Sequence, residues 1–254
     1  MNVEDGADLI WREARQGRYF PDALRDALSL DDGLRIQLNL LERKKAAGER
    51  HAGWKIGLTS ARVRARYGTD QQPFGHIMAH RVLESGAAVP FDEIVNCGVE
   101  AELCFTMGDT LQGPGVTPAQ ARAAVAAVCA GFEINEGRSE GVSDFSLSVA
   151  DNLSQWGIVT GASLQPVPAD FDFEGLRMEM RRGDEVQGEA VGRDVIDDHY
   201  VSLATLANKL GEYGVALEAG QRVITGSYTQ HKVGKGESWR AEFTGIGAVE
   251  MTFS

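Results

Sequence analysis

Three carboxylates in two short apolar stretches are the residues of this chain best placed to do chemistry. In Val99-Glu100-Ala101-Glu102-Leu103-Cys104-Phe105, apolar and acidic residues alternate with a period of two, which predicts a half-buried strand with Glu100 and Glu102 side by side on one face. Like charges held that close raise each other's pKa unless something positive sits between them, and a divalent cation is the simplest candidate. Glu133, in Ala130-Gly131-Phe132-Glu133-Ile134, has a similar setting. Hard cations such as magnesium take several oxygen ligands and keep waters that a substrate can displace, so glutamates from two neighbouring strands suit that chemistry. The plain alternative is that Glu100 and Glu102 line the wet face of an antiparallel sheet.

Other candidates are less self-contained. Lys55 lies inside the apolar strand of Gly53-Trp54-Lys55-Ile56-Gly57-Leu58-Thr59-Ser60. Its side chain either snorkels to solvent or is partly desolvated, and desolvation lowers a lysine pKa toward the range useful for proton transfer. The stretch Thr69-Asp70-Gln71-Gln72-Pro73-Phe74-Gly75-His76 has the composition of a binding loop. His76 and His80 are four apart, the spacing of a helical metal pair, but no acidic partner accompanies them; His76 alone is a candidate acid or base. Cys97, Cys104 and Cys129 are odd in number and show no Cys-x-x-Cys spacing, so they read as buried fillers, with Cys104 on the glutamates' face.

The elements that must position these groups follow from the pattern. Residues up to about Glu49 read as helical, with a break near Phe20-Pro21 and a second helix behind the capping candidates Asp31 and Asp32. The Thr59-Ser60 pair is placed to cap a helix beginning at Ala61. Thr117-Pro118-Ala119-Gln120 is a capping box with proline at the first helical position, opening an alanine-rich helix expected to run to about Cys129. That helix returns the chain so that the Glu133 strand can approach the Glu100 strand. The second half alternates strands and turns: Leu176 to Arg182, a helix from about His199 to Tyr213, a strand Arg222 to Ser227, a loop Tyr228 to Gly236 and two closing strands. The fold class expected is α+β: a strand-rich rolled mixed β-sheet domain over 53–254 with a helical N-terminal extension over 1–52.

Composition narrows the function classes. The 254 residues are 43% hydrophobic and 24% charged, and 25 basic against 37 acidic residues give a net charge of −12. So acidic a chain is a poor match for a phosphate backbone, and nucleic acid is not an expected partner. No apolar run approaches membrane-span length, and Glu4, Asp5, Asp8 and Glu13 stand where a signal peptide would be basic and then apolar, so a cytoplasmic protein is expected. Serine-hydrolase elbows, phosphate loops and complete dinucleotide fingerprints are absent from the sequence.

An ordered set of motifs resembles a known family. Gly-Trp-Lys-Ile-Gly-Leu-Thr-Ser at 53–60, Phe-Gly-His at 74–76, Val-Glu-Ala-Glu-Leu-Cys-Phe at 99–105, Phe-Glu-Ile at 132–134, Ala-Asp-Asn-Leu-Ser at 150–154 and Ile-Thr-Gly-Ser at 224–227 fall in sequence. Together they resemble the hydratase/decarboxylase branch of the fumarylacetoacetate hydrolase superfamily, the 2-keto-4-pentenoate hydratases and 4-oxalocrotonate decarboxylases. The resemblance implies a magnesium or manganese ion held by Glu100, Glu102 and Glu133, chelating the 1-carboxylate and 2-oxo oxygens of a short 2-oxo acid. It implies Lys55 as a proton-handling group, joined by His76 and Asp70 as catalytic candidates, and Leu58, Ser60, Phe74, Asp151, Asn152 and Ser227 as substrate contacts. A homo-oligomer is implied as well.

The chemistry implied is a lyase reaction of aromatic meta-cleavage catabolism through a cation-stabilised dienolate, shared by water addition at C4 and loss of carbon dioxide from C6. The hydratases carry an aspartate before the aromatic-glycine of the loop, where this chain has Pro73, with Asp70 the nearest acid. That weakens hydration and leaves decarboxylation open. A third reading is carbon-carbon hydrolysis of acylpyruvates, and a fourth is a non-catalytic binding protein. His231 and Lys232, in Thr229-Gln230-His231-Lys232-Val233, either read a second substrate carboxylate or are solvated.

Overall fold

The computed structural model describes residues 2–139 and 141–254. Two helices lead, α1 (Val3–Ala14) and α2 (Leu30–Ala46). Ser29 caps α2 through a capping box with Asp32, so Asp31 and Asp32 lie inside the first turn rather than at the cap expected of them. The body then runs β1 (His51–Ile56), α3 (Ala61–Tyr67), β2 (Phe74–Met78), β3 (Val82–Glu84), β4 (Ala87–Val89) and β5 (Cys97–Met107). Next come α4 (Pro118–Ala123), β6 (Val125–Glu136), α5 (Phe145–Ala150), β7 (Gln155–Thr160), β8 (Arg177–Arg182) and β9 (Glu185–Val191). The short α6 (Gly192–Val195), α7 (His199–Gly211), β10 (Arg222–Lys232), β11 (Ser238–Phe243) and β12 (Gly247–Phe253) complete it.

The strands form a seven-stranded mixed sheet in the order β2-β1-β10-β5-β6-β7-β3 and a five-stranded one in the order β4-β12-β11-β8-β9. This is the strand-rich mixed α+β architecture the sequence implies. One face of the large sheet turns Val99, Ala101, Leu103 and Phe105 of β5 and Val128, Ala130, Phe132 and Ile134 of β6 into the main core. There they meet Met178, Met180, Trp239, Phe243, Val249 and Phe253 of the small sheet. Burying this alternate set is what pins the register, because a slip of one residue would turn it to solvent and the carboxylates inward. The opposite face of β5 and β6 is left with Glu100, Glu102 and Cys104, and with Glu133, Gly131 and Cys129 paired against them.

Several expected boundaries move. The alanine-rich helix stops at Ala123, and Val125 to Glu136 is a strand instead. Alanine favours a helix by well under 1 kcal/mol per residue, whereas pairing with β5 along its whole length, Met107↔Val125 through Cys97↔Glu136, satisfies a full ladder and buries Val128, Phe132 and Ile134. β10 likewise continues to Lys232 through the expected loop, because Thr229, Gln230, His231 and Lys232 pair with Ala101, Glu100, Val99 and Gly98. The expected binding loop shortens at its end, since Phe74, Gly75 and His76 belong to β2. The helix from His199 ends at Gly211.

The helical leader is not a free appendage. Ala7, Ile10, Phe20, Leu24, Ile36 and Leu40 form a small core with Leu147 and Ala150 of α5, while Leu34 and Leu41 join the main core. Buried Gln37 of α2 donates from one amide nitrogen to Phe74 O (2.7 Å) and Val149 O (2.8 Å), tying the leader to β2 and α5. No helix among the described residues is long and apolar enough to cross a membrane.

Candidate metal centre

The strand period places Glu100 and Glu102 on one face of β5, and the β5–β6 register sets Glu133 directly opposite Glu100. One carboxylate oxygen from each lies within 4.8 Å of the others. Glu102 and Glu133 are buried and Glu100 is half-buried. Each is held by a donor: Asn135 Nδ2 to Glu100 Oε1 at 3.0 Å, the Gly226 N–H to Glu102 Oε2 at 2.7 Å, and Lys55 Nζ to Glu133 Oε1.

Gly226 is a glycine for a reason. Its φ of +121° belongs to the region L side chains avoid, and a Cβ there would stand 2.0 Å from Thr59 Oγ1. The β10–β5 register shifts on both sides of Ser227, and this irregularity turns the Gly226 N–H onto Glu102.

Burial first, and then Glu133 and Glu100, push the Glu102 carboxyl well above its ordinary range. Burial raises Glu133 to about 7 against the pull of the Lys55 ammonium. Lys55 is buried rather than snorkelling, yet its pKa is not lowered. Burial opposes its charge, and the carboxylates of Glu133, Glu100 and Glu102 outweigh that and hold the ammonium above its usual value. Its Nζ also donates to Leu153 O at 2.9 Å.

That carbonyl is delivered by an unusual turn. Asn152, Leu153 and Ser154 follow α5 with φ of 64°, 51° and 59°, consecutive left-handed residues of which none is glycine. The Asn152 side chain holds the turn against β2, an edge strand of the large sheet, accepting from His76 N–H (2.7 Å) and donating to His76 O (3.0 Å). A side-chain amide thus stands in for a neighbouring strand. Gly75, in the same strand, leaves room for Lys55, since a Cβ at that position would lie 2.9 Å from Lys55 Cγ.

A cavity of about 390 Å³ opens over the carboxylates. Lys55, Leu58, Ser60, Glu100, Glu102, Glu133 and Ser227 line it, bringing together seven of the residues singled out in the sequence. Ser60 turns its side chain to the cavity without capping α3; the Ala61 N–H is taken by Asp197 Oδ2 at 2.8 Å. Leu58 has φ of 54°, and its carbonyl is held by Arg64 Nη1 (2.8 Å) and Gln72 Nε2 (3.2 Å).

Five of the sequence candidates are not among the lining residues: Asp70, Phe74, His76, Asp151 and Asn152. Phe74 is packed edge-on against Trp54 in the main core. His76 is fully buried, its Nε2 3.0 Å from Lys44 Nζ, and burial with that neighbouring cation lowers its pKa well below the usual histidine value. It sits in β2 while His80 belongs to a 3₁₀ turn, so the two make no helical pair. Asp151 pairs with Arg138 Nε at 2.8 Å, and burial lifts it to about 6 despite that partner. Cys104 lies beyond Glu102 in an apolar patch with Ile77, Cys129, Ile158 and Ile224. His231 and Lys232 do not line the cavity.

Some functional groups escaped the sequence. Asn135 was readable, two residues from Glu133 and therefore on the same face. Tyr67, Phe145 and Val195 carry no local signal, because long-range contacts alone bring them here, and Gly226 and Leu153, though inside quoted motifs, act through backbone groups that only the fold aims.

The donor set fits a hard cation. It is all oxygen, and with the three carboxylates ionised around one ammonium it carries two negative charges in a largely buried place, which a divalent ion balances. Residues 36–254 match the model of the fumarylacetoacetate (FAA) hydrolase C-terminal family. The chain belongs to that family. Within it, the chain is 30% identical to 2-hydroxyhexa-2,4-dienoate hydratase of Comamonas testosteroni, over 94% of this chain and 96% of that one. It is also 30% identical to 4-oxalocrotonate decarboxylase of Pseudomonas sp. strain CF600, over 89% of this chain and 86% of the other. Among solved structures, 4-oxalocrotonate decarboxylase from Pseudomonas putida G7, complexed with magnesium and adipate, superposes with a TM-score of 0.91 at 26% identity, covering 99% of this chain and 97% of its own. These fumarylacetoacetate hydrolase relatives are lyases by name.

Proposed function

We propose that this chain is a divalent-metal-dependent lyase acting on a short 2-oxo or 2-hydroxy dienoic acid, as a hydratase of the 2-keto-4-pentenoate (2-hydroxypenta-2,4-dienoate) type in aromatic meta-cleavage catabolism. The observation that carries the reading is the trio Glu100, Glu102 and Glu133 at the floor of a cavity, with the ammonium of Lys55 bound to one of them. Family membership and the named hydratases support it.

Glu100, Glu102 and Glu133 would hold magnesium or manganese, which would supply positive charge against the negative charge that develops on a bound 2-oxo acid. The protein's own groups do the rest. Glu133 Oε1 and Leu153 O hold Lys55 Nζ in one direction, so that its proton can be handed to a substrate carbon. The neighbouring carboxylates keep that proton in place until transfer. Ser60 lines the same floor and suits the substrate carboxylate, while the Ser227 hydroxyl, also in the lining, donates to Thr229 O at 2.9 Å.

Decarboxylation of a 4-oxalocrotonate-type acid is the second reading, and one observation favours it. The hydratase aspartate is replaced by Pro73, whose carbonyl accepts from Gly57 N–H at 2.8 Å, and Asp70 does not reach the cavity to replace it. The reading extends to a cytoplasmic homo-oligomer, which light scattering and cell fractionation check.

Three assays on one sample decide among activities: loss of dienoate absorbance with magnesium, carbon dioxide release from 4-oxalocrotonate, and pyruvate release from an acylpyruvate. Hydratase turnover abolished by chelator and by Glu102→Gln is the expected result. Silence in all three with metal present refutes the lyase reading.

A further inference from the structure

Away from the carboxylates the cavity changes character. Val63 and Tyr67 reach it from α3, Phe145 from the start of α5, Leu153 from the left-handed turn and Val195 from the end of α6. The rings of Tyr67 and Phe145 face each other with centroids 5.6 Å apart. Tyr67 is nevertheless 61% exposed, among the largest apolar exposures of the described residues.

The helix that carries Tyr67 packs only lightly against the body. α3 buries none of its residues. Polar contacts hold it: Asp197 Oδ2 accepts from Ala61 N–H (2.8 Å) and from Arg64 Nη2 (3.0 Å). Val63 is half-buried and Tyr67 meets Phe145, and the rest of both side chains gains cover from what enters the cavity.

Positive charge is missing from the same wall. Among the described lining residues Lys55 is the only lysine or arginine, and its ammonium is committed to Glu133 and the Leu153 carbonyl. None of the three arginines of α3 lines the cavity: Arg64 is engaged with Leu58 O and Asp197, and Arg62 with Asp194 O. A second carboxylate on the ligand would meet no cation at this wall, only neutral groups such as Ser148 and Ser154, so its charge would go unbalanced there.

We infer that the site selects a 2-oxo monocarboxylate whose far end is an uncharged alkyl chain seated between Tyr67 and Phe145, and that it discriminates against dicarboxylic acids of the same length. The inference rests on the reading of the glutamate floor as the anchor for a 2-oxo acid, and it adds what the other end of that acid must be. Tyr67 and Phe145 are the specificity-determining pair.

Titration calorimetry of the magnesium-loaded protein with saturated, unreactive 2-oxo acids tests this apart from turnover. 2-Oxohexanoate is expected to bind on the order of 100-fold more tightly than 2-oxoadipate, the penalty of an unpaired charge against an apolar wall. It should also bind roughly 3- to 4-fold more tightly than 2-oxopentanoate, the effect of one buried methylene. Tyr67→Arg, at an exposed site on a helix without buried residues, should fold normally and reverse the order in a salt-dependent way. Equal or tighter binding of 2-oxoadipate by the unaltered protein overturns the inference, as does faster conversion of 4-oxalocrotonate than of 2-hydroxyhexa-2,4-dienoate. If the 2-oxo acids bind in the expected order but no lyase turnover is seen, the activity reading falls and the selectivity stands. If none binds with magnesium present, both fall.

Discussion

Replacing Asn152 with alanine should disable the site without touching any group that lines it. Asn152 is buried, and its amide makes two hydrogen bonds, of 2.7 and 3.0 Å, to the backbone of His76 on an edge strand. Each such bond contributes about 1 kcal/mol net, and each buried backbone group left without a partner costs roughly 1–3 kcal/mol. A loss of about 3 kcal/mol is therefore expected in a urea titration. The clamp also restrains a turn in which Asn152, Leu153 and Ser154 are all left-handed, a conformation that costs non-glycine residues about 1 kcal/mol each. Without the clamp the turn relaxes and the Leu153 carbonyl leaves Lys55 Nζ, which it accepts from at 2.9 Å. Steady-state kinetics should then show kcat lowered roughly 10- to 100-fold with KM changed little, because the anchoring glutamates are untouched. Asn152→Gly should recover about 1 kcal/mol of the stability lost, since glycine accepts the φ of 64° freely, but not the rate. A folded Asn152→Ala protein with kcat within twofold of the parent would refute the coupling between this amide and the lysine.

Further outcomes follow from the same geometry. Saturating magnesium at about 100 times its Kd should stabilise the parent protein by about 2.7 kcal/mol, and Glu102→Gln should abolish that shift while stabilising the metal-free form, since it removes a buried charge crowded by Glu133 and Glu100; an unchanged metal response in thermal scans contradicts the ligand set. Burial lowers the His199 pKa from 6.5 to about 3, so the folded imidazole stays neutral while the unfolded chain gains a proton below pH 6.5. Its contribution is whole above pH 6.5 and is lost as pH falls toward 3, and His199→Gln should make the drop in stability between pH 7.5 and 4.5 shallower by on the order of 2 kcal/mol; an equally steep limb counts against it. Gln37→Ala, which removes the buried donor to Phe74 O and Val149 O, should cost about 2–4 kcal/mol by denaturant midpoint. Gly226→Ala should lower metal affinity more than stability, because the added Cβ drives into Thr59 and turns the N–H away from Glu102.

What could be read in the chain and what could not divide along a physical line. Alternation in Val99–Phe105 encodes which side chains share a face, because strand geometry has a period of two regardless of context. Glu100, Glu102 and, once pairing is assumed, Glu133 were therefore legible, and so was the capping box at Thr117. The end of the alanine-rich helix was not legible: Val125 to Ala130 is acceptable as helix locally, and a partner strand far off in sequence decided otherwise.

Within the site, the sequence by itself determined the residue chemistry: three carboxylates, and one lysine in an apolar strand. Only the tertiary structure decided the environment of each group. Lys55 reads as a lysine that either snorkels or is desolvated until Glu133 is set against it, and Asn152 reads as a ligand contact until its amide is found capping the edge of β2. A pKa shift and a hydrogen-bond partner are properties of neighbours, and here those neighbours are 78 and 76 residues away along the chain. Local sequence carries periodicity and residue chemistry; the field around a residue exists only once the chain has folded over it.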